Sequence, residues 1–166
     1  DVNKGPESSD PIELSVKQSR VYLSANDGRK GQELWISDGE NQGTKLLADI
    51  NPGEGGSFPT DLMWLNQNLY FAANDGKNGR ELWKYSHKSQ SSSMVLDIQT
   101  NKQIGSNPSE MTEFFGQIIF AADDEIYGRE LWISDGTAEK TRLLEDINPG
   151  GFSSNPRNLN LLNNDL

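Results

Sequence analysis

The sequence predicts an all-β protein made of three copies of one repeat, each copy a four-stranded antiparallel blade of a β-propeller. The first observation is the motif Glu-Leu-Trp, which occurs three times with its tryptophans at Trp35, Trp83 and Trp132, spaced by 48 and 49 residues. The second is the pattern between them, where short apolar runs alternate with Gly, Asn and Asp, as strands alternate with tight turns. The third is that no long stretch places apolar residues at helical spacing. A four-stranded unit of this length is typical of propeller blades.

The repeat extends well beyond Glu-Leu-Trp, because other residue types recur at fixed distances from each tryptophan. An aspartate and a glycine precede it, an Asp-Ile pair follows it, and a proline comes later still. The recurring residues are Asp27, Asp75 and Asp124; Gly31, Gly79 and Gly128; Asp49, Asp97 and Asp146; and Pro59, Pro108 and Pro156. Chance does not produce so many fixed offsets in three copies.

The middle repeat illustrates each predicted strand in order. Residues 61–65 form the first strand and end in the Asn-rich turn 66–68, and residues 69–73 form the second. The third, 80–85, contains Glu-Leu-Trp, and the fourth is 94–98. Applied to the whole chain, this pattern predicts a disordered lead-in (1–9), three blades (10–50, 58–98 and 107–147) and the first strand of a further blade (156–166). Because propellers have about four to eight blades, an incomplete propeller is expected; a solenoid of β-hairpins is the alternative.

The composition excludes several classes of function. The chain has 166 residues, 25 of them acidic and 15 basic, and its net charge of −10 disfavours nucleic acid as a partner. No apolar run approaches the length that spans a bilayer, so membrane insertion is not expected. The sequence contains no cysteine and one histidine, which excludes disulfides, thiolate zinc sites and multi-histidine metal sites.

The aromatic residues are interpreted mainly as core. Trp35, Trp83 and Trp132 recur at one phase in mid-strand, which favours packing between adjacent blades over a role as sugar-stacking platforms. Trp64 falls outside that phase on a first strand, where it either lines a channel or packs in the core. His87 lies in a polar, serine-rich tract and is expected to be solvated.

The repeated glutamates of the motif are interpreted as structural acceptors of backbone N–H bonds or partners of a neighbouring cation, since a catalytic carboxylate does not need three copies. These are Glu33, Glu81 and Glu130. The first strands also offer carboxylates, at Glu13, Asp61, Glu110 and Glu113, but with no arginine cluster or tyrosine nucleophile expected beside them. No catalytic residue is therefore assigned.

The loops between the second and third strands provide the candidate ligand-binding residues. Alternating strand directions place these loops on the same face as the blade-to-blade loops, where they present amide and carboxylate oxygens. The candidates are Asn26, Asp27, Asn74, Asp75, Asp123 and Asp124. Such oxygens suit calcium or a polyhydroxyl ligand, and Asp123 with Asp124 is the candidate calcium pair. The alternative is that all of these residues only cap turns.

The quoted motifs resemble the ELWxxDGT repeat family. Residues 130–137 match its motif completely, and residues 33–40 match it except that Glu40 replaces the final threonine. The middle repeat keeps Glu-Leu-Trp but has Ser86-His87-Lys88 in place of Asp-Gly-Thr. This resemblance implies propeller-like blades in secreted or surface-exposed bacterial proteins, and it implies no catalytic activity.

Taken together, the sequence predicts a non-catalytic extracellular segment of a propeller repeat protein, with a binding, adhesive or scaffolding role. The expected partners are other blades of the same chain or copies of it, and a glycan or a surface protein. No cofactor is required, with calcium as the one candidate. The alternatives are a carboxylate-dependent carbohydrate-active enzyme and a calcium-stabilised spacer.

Overall fold

The computed structural model, which describes residues 2–40, 42–101 and 104–161, contains three four-stranded antiparallel sheets. Four consecutive strands form each sheet and lie in chain order from one edge to the other. The predicted all-β class and the predicted four strands per repeat are confirmed. Among the described residues the only helix is one 3-10 turn, Ala138–Lys140, and no helix is long and apolar enough to cross a membrane.

The three sheets lie within the blocks that the repeat defines. Sheet 1 contains β1 (Ile12–Lys17), β2 (Arg20–Asn26), β3 (Gln32–Ser37) and β4 (Lys45–Ala48). Sheet 2 contains β5 (Thr60–Leu65), β6 (Asn68–Asn74), β7 (Arg80–Ser86) and β8 (Ser91–Leu96). Sheet 3 contains β9 (Ser109–Phe114), β10 (Gln117–Asp124), β11 (Gly128–Ser134) and β12 (Arg142–Glu145).

The first strands of neighbouring sheets lie beside one another and are joined by carboxylates. Glu13, Asp61 and Glu110 each have a positive φ, between 56° and 60°, at a point where the strand pairing shifts register. The N–H of Asp61 donates to Glu13 Oε2 at 2.8 Å, and the N–H of Glu110 donates to Asp61 Oδ1 at 3.2 Å. The N–H of Asn158 continues the series to Glu110 Oε2 at 2.8 Å. The irregular backbone thus leaves an N–H that bonds the preceding sheet.

The hydrophobic core lies between successive sheets. One cluster joins sheets 1 and 2 and contains Tyr22, Leu34, Ile36, Ile50, Leu69, Phe71, Ala73 and Tyr85. Another joins sheets 2 and 3 and contains Leu65, Tyr70, Leu82, Val95, Ile98, Ile118, Phe120, Ala122 and Trp132. Sheet 2 therefore contributes both of its faces to the core between sheets, which explains why its central strands alternate so little between apolar and polar residues.

The segment before β1 packs against sheet 1, unlike the disordered lead-in that its polar composition predicts. Val2 contacts the cluster of Leu23 and Trp35, and Asn3 is only 5% exposed. The N–H of Asn26 donates to Ser9 O at 2.8 Å. The same bond recurs from Asn74 to Ser57 O and from Asp123 to Ser106 O, so this segment occupies the place of a sheet-to-sheet connection.

The segment after β12 behaves similarly. Thr112 Oγ1 donates to Leu159 O at 3.0 Å, and Leu159 packs against the apolar face of sheet 3. No strand is assigned over residues 156–161, where the sequence predicts one, and the remainder of that predicted strand lies outside the described residues.

Candidate functional site

The repeated glutamates are buried anchors that tie each sheet to the next. Glu81 is fully buried and accepts four hydrogen bonds, from Ile98 N (3.2 Å), Gln99 N (3.3 Å), Ser106 N (2.7 Å) and Ser106 Oγ (2.5 Å). The donors come from the end of the fourth strand and from the lead-in to the next sheet. Burial raises the pKa of Glu81 to about 7, against the opposing effect of these hydrogen bonds.

The same arrangement recurs in the other two repeats. Glu33 accepts from Ile50 N at 2.9 Å and from Ser57 Oγ at 2.6 Å. Glu130 accepts from Ile147 N at 3.1 Å and from Ser154 N at 2.6 Å. These contacts agree with the interpretation of the three glutamates as acceptors of backbone N–H bonds, and their oxygens are not available to a substrate.

The motif tryptophans lie in the core. Trp35 and Trp132 are each 8% exposed, and Trp83 is partly buried against the cluster between sheets 1 and 2. Packing of Trp132 in the cluster between sheets 2 and 3 matches the predicted wedge between repeats.

Single arginines lie near enough to the first-strand carboxylates to feel their charge, although none forms an ion pair with them among the described residues. Arg80 donates to Phe58 O at 2.8 Å, to Ala72 O at 3.1 Å and to Thr60 Oγ1. Burial lowers its pKa, and the charges of Asp61 and Glu13 partly restore it. Sequence reasoning missed this because Arg80 precedes the buried glutamate on the third strand and reaches back to the first.

Arg129 repeats this role in sheet 3 by donating to Asn107 O (2.8 Å), Ser109 Oγ (2.6 Å) and Ala121 O (3.2 Å). In sheet 1 a neutral residue, Gln32, stands in its place and donates to Asp10 O at 2.9 Å. Glu113 lies apart, at the β9–β10 turn, where it accepts from Gly116 N at 2.7 Å. The arginines therefore hold main chain, and the carboxylates join sheets.

The candidate aspartates of the loops cap their own turns. Asp27 Oδ1 accepts the N–H groups of Arg29 and Lys30 at 2.9 and 2.8 Å. Asp75 Oδ1 does the same for Lys77 and Asn78, and Asp124 Oδ1 does so for Ile126 and Tyr127. Burial acts to raise the pKa of Asp75, but its hydrogen bonds outweigh this and lower it overall.

The two candidate asparagines follow the same pattern. Asn26 and Asn74 accept from Gly28 N and Gly76 N at 2.8 and 2.7 Å. Burial raises the pKa of Asp123, which lies opposite Arg129 in the register of β10 and β11. Within the described ranges no group of three acidic or histidine side chains is placed to hold a metal ion, so Asp123 and Asp124 have no third such ligand.

The structure brings the loops together on one face. An added Cβ on Gly79 would lie 2.5 Å from Gly105 N, and one on Gly31 would lie 2.4 Å from Gly56 N. The loop between the second and third strands of sheets 1 and 2 therefore touches the connection that leads to the next sheet. Both glycines also have positive φ angles near 70–77°. Five of the six candidate side chains in these loops accept turn N–H groups, whereas Asp123 accepts none among the described residues.

A second polar region, which sequence reasoning missed, lies on the opposite face, where the β1–β2 and β5–β6 turns meet the β7–β8 turn. His87 Nε2 lies 2.8 Å from the hydroxyl of Tyr22, and its ring stacks on Trp64 with centroids 5.4 Å apart and planes at 27°. Tyr22 meets Trp64 edge to face at 4.8 Å, and Tyr85 meets His87 at 5.4 Å. His87 is thus partly buried rather than fully solvated, and Trp64 is partly buried against the core.

A cavity of about 230 Å³ opens beside these rings, lined by Lys17, Gln18, Trp64, Asn66, Gln67 and His87. We call it the aromatic cleft. Lys17 Nζ lies 5.6 Å from the centre of the Trp64 ring. Two sequence signals point to this place: Trp64 is out of phase with the repeat, and the middle repeat lacks the Asp-Gly turn that the others have.

Comparison with known proteins identifies no family: no family model matches the chain, and no curated protein matches it. Among solved structures the chain is similar to the crystal structure of the computationally designed Ika8 protein, with 14% identity and a TM-score of 0.45. That match covers 86% of this chain and 38% of the designed chain.

Proposed function

We propose that this chain is a non-catalytic scaffolding segment of a β-propeller, in which each four-stranded sheet is a blade. The main support is a blade–blade interface that occurs twice inside the chain, between sheets 1 and 2 and between sheets 2 and 3. The outer sides of sheets 1 and 3 each present one half of the same interface. The propeller also accounts for the first strands lying side by side. Secretion to a bacterial surface rests on the resemblance to the ELWxxDGT family.

The exposed residue Ile147 supports an unfilled interface beyond sheet 3. Its repeat equivalents Ile50 and Ile98 are only 6% and 9% exposed, because each lies between two sheets, whereas Ile147 is 53% exposed. We call this side the C-terminal face, together with Ile119, Leu131 and Ile133, which are already buried beside Leu159.

The opposite side of the chain carries the complementary half. Leu14 and Val16 are 69% and 68% exposed, while their equivalents Leu62 and Trp64 pack against the cluster between sheets 1 and 2. We call this side the N-terminal face, together with Leu23, Ala25 and Trp35. The two faces therefore correspond to the two sides of one interface, and the occupant that fits each is a further blade of the same repeat, from this chain or a second copy.

The carboxylates support a non-catalytic role. Glycoside hydrolysis needs two carboxyl groups free to act on a substrate. Glu81 and its two equivalents hold main-chain N–H groups in the core, and Glu13, Asp61 and Glu110 each accept an N–H from the next sheet.

The experiment is light scattering of the 166-residue chain over a range of concentrations. We expect association, weakened at least tenfold by Leu14→Glu or by Ile147→Glu, because each places a charge in the interface. The matched control is Ile126→Lys: Ile126 is 66% exposed in a loop, and its repeat equivalents are Arg29 and Lys77. A compact monomer at all concentrations, without exposed apolar surface by dye binding, would contradict the proposal and favour a solenoid.

A further inference from the structure

We propose that the aromatic cleft binds a saccharide residue that carries a carboxylate, with Trp64 and His87 as the apolar wall and Lys17 as the partner of the carboxylate. This assigns a ligand site on the face opposite the loops discussed above. It goes beyond the scaffolding role and does not depend on it.

Three residues that depart from the repeat meet in the cleft. Lys17 occupies the repeat position that is Leu65 in sheet 2 and Phe114 in sheet 3. Leu65 is a core residue only 5% exposed. Trp64 stands where the others have Val16 and Glu113. His87 stands in place of two glycines, Gly39 and Gly136.

The blade–blade interface itself does not require these departures. Between sheets 2 and 3 the equivalent tyrosine, Tyr70, lies so close to Gly136 that an added Cβ would be 1.9 Å from its hydroxyl. That interface is complete with no side chain at the glycine. Between sheets 1 and 2, the β7–β8 turn instead provides an imidazole, which bonds the hydroxyl of Tyr22. Replacing the glycine by His87 therefore adds an imidazole that the packing of the two sheets does not need.

The lining of the cleft matches a sugar ring. Its volume of about 230 Å³ is below the range of roughly 300–1,000 Å³ typical of drug-sized ligands, which suits one ring. Trp64 and His87 offer aromatic surface, while Gln18, Asn66 and Gln67 carry amides that both donate and accept hydrogen bonds. Hydroxyl groups on an otherwise apolar ring need that combination.

The local charge favours a carboxylate on the sugar. The chain has a net charge of −10, yet no acidic residue lines this cleft. Lys17 has no ion pair or hydrogen bond among the described residues, and its ammonium rests near the Trp64 ring. Arg20 adds positive charge nearby, since it acts to lower the pKa of Tyr22. These positive charges suit a ligand with one carboxylate, while the acidic remainder of the surface repels polyanions.

The test is calorimetric titration with the methyl glycosides of galacturonate, glucuronate and mannuronate, each of which carries one carboxylate, beside the neutral methyl glycoside of the corresponding sugar. We expect at least one uronate to bind, at least fivefold more tightly than its neutral counterpart. Lys17→Gln should abolish that preference, and Trp64→Phe should weaken binding of the uronate at least threefold. The charge-matched control is Lys45→Gln, an exposed residue of β4 outside the cleft, which should bind as the wild type does.

Three results would overturn the ligand site. No heat with any probe up to about 10 mM overturns it, as does equal binding of uronates and neutral sugars. Lys17→Gln binding like the wild type also overturns it. Light scattering of the same variants is independent of these results: association retained with no sugar binding leaves the scaffolding role intact and removes only the ligand site.

Discussion

Replacing Glu81 by glutamine tests the role of the buried anchor. The side chain keeps its shape, but one of its oxygens becomes an NH2 group that faces donors. The carboxylate accepts from Ile98 N, Gln99 N and both donors of Ser106 at 2.5–3.3 Å. Whichever oxygen is replaced, at least one backbone N–H loses its acceptor inside the core.

The magnitude follows from those contacts. A buried donor left without its partner costs about 1–3 kcal/mol. Ser106 Oγ can rotate to accept from the new amide, which recovers part of the loss. With one to two donors unsatisfied, we expect Glu81→Gln to lower the free energy of unfolding by about 2–4 kcal/mol.

The assay is urea denaturation followed by tryptophan fluorescence at pH 8, where the carboxyl group is ionised. Glu113→Gln is the matched control, because Glu113 is exposed and accepts a single turn N–H; its effect should stay within about 0.5 kcal/mol. A Glu81→Gln variant within 0.5 kcal/mol of the wild type would refute the account of the glutamates as anchors between sheets.

Four further predictions concern the same interfaces. Burial raises the pKa of Glu81 to about 7 from 4.5 in the unfolded chain, so the folded state holds the proton more tightly. The contribution of Glu81 to the free energy of unfolding therefore falls as pH rises from about 4.5 to 7. Urea titrations from pH 4 to 8 should show this fall in the wild type and a smaller fall in Glu81→Gln. Gly79→Ala should destabilise by at least about 2 kcal/mol more than Gly116→Ala, since the two glycines share φ near 76–77° but only Gly79 faces a neighbouring backbone; equal losses would assign the effect to φ alone. Trp83→Ala should lower the free energy of unfolding by about 3–5 kcal/mol in the same assay, and a loss below about 1 kcal/mol would mean that the ring is exposed. Millimolar calcium should leave the melting temperature unchanged, because the loop aspartates already cap turns; a rise abolished by Asp124→Asn would restore the calcium site.

The sequence predicts the architecture well because each sheet obeys a local pattern. Apolar runs between Gly and Asn turns determine the strands, and recurrence of Trp35, Trp83 and Trp132 at one phase predicts their place in the core. The structural role of Glu33, Glu81 and Glu130 also follows, since residues repeated three times serve the fold. All of this information lies within one repeat length.

The features that sequence reasoning missed depend on contacts between repeats. The partner of His87 is Tyr22, 65 residues earlier, and nothing in the serine-rich tract around His87 indicates that contact. Arg80 was likewise not predicted beside the first-strand carboxylates, because its reach becomes visible only when the sheet is folded.

The lead-in could have been assigned from the sequence by extending the repeat backwards. Val2, Asn3 and Ser9 stand one repeat before Ile50, Asn51 and Ser57. Of the residues between them only Gly5 has a match, in Gly53, so composition predicts disorder where the repeat phase predicts a connection between sheets.

Site-directed cross-linking between the two end faces tests the central claim most directly, because the chain contains no cysteine of its own. Leu14→Cys places a thiol on the N-terminal face, and Ile147→Cys places one on the C-terminal face. At the interface between sheets 1 and 2 their equivalents, Leu62 and Ile50, belong to one packed cluster. Mild oxidation of a mixture of the two variants should therefore give a disulfide-linked heterodimer in preference to either homodimer. A mixture that stays monomeric, or that forms homodimers as readily, would contradict complementary end faces.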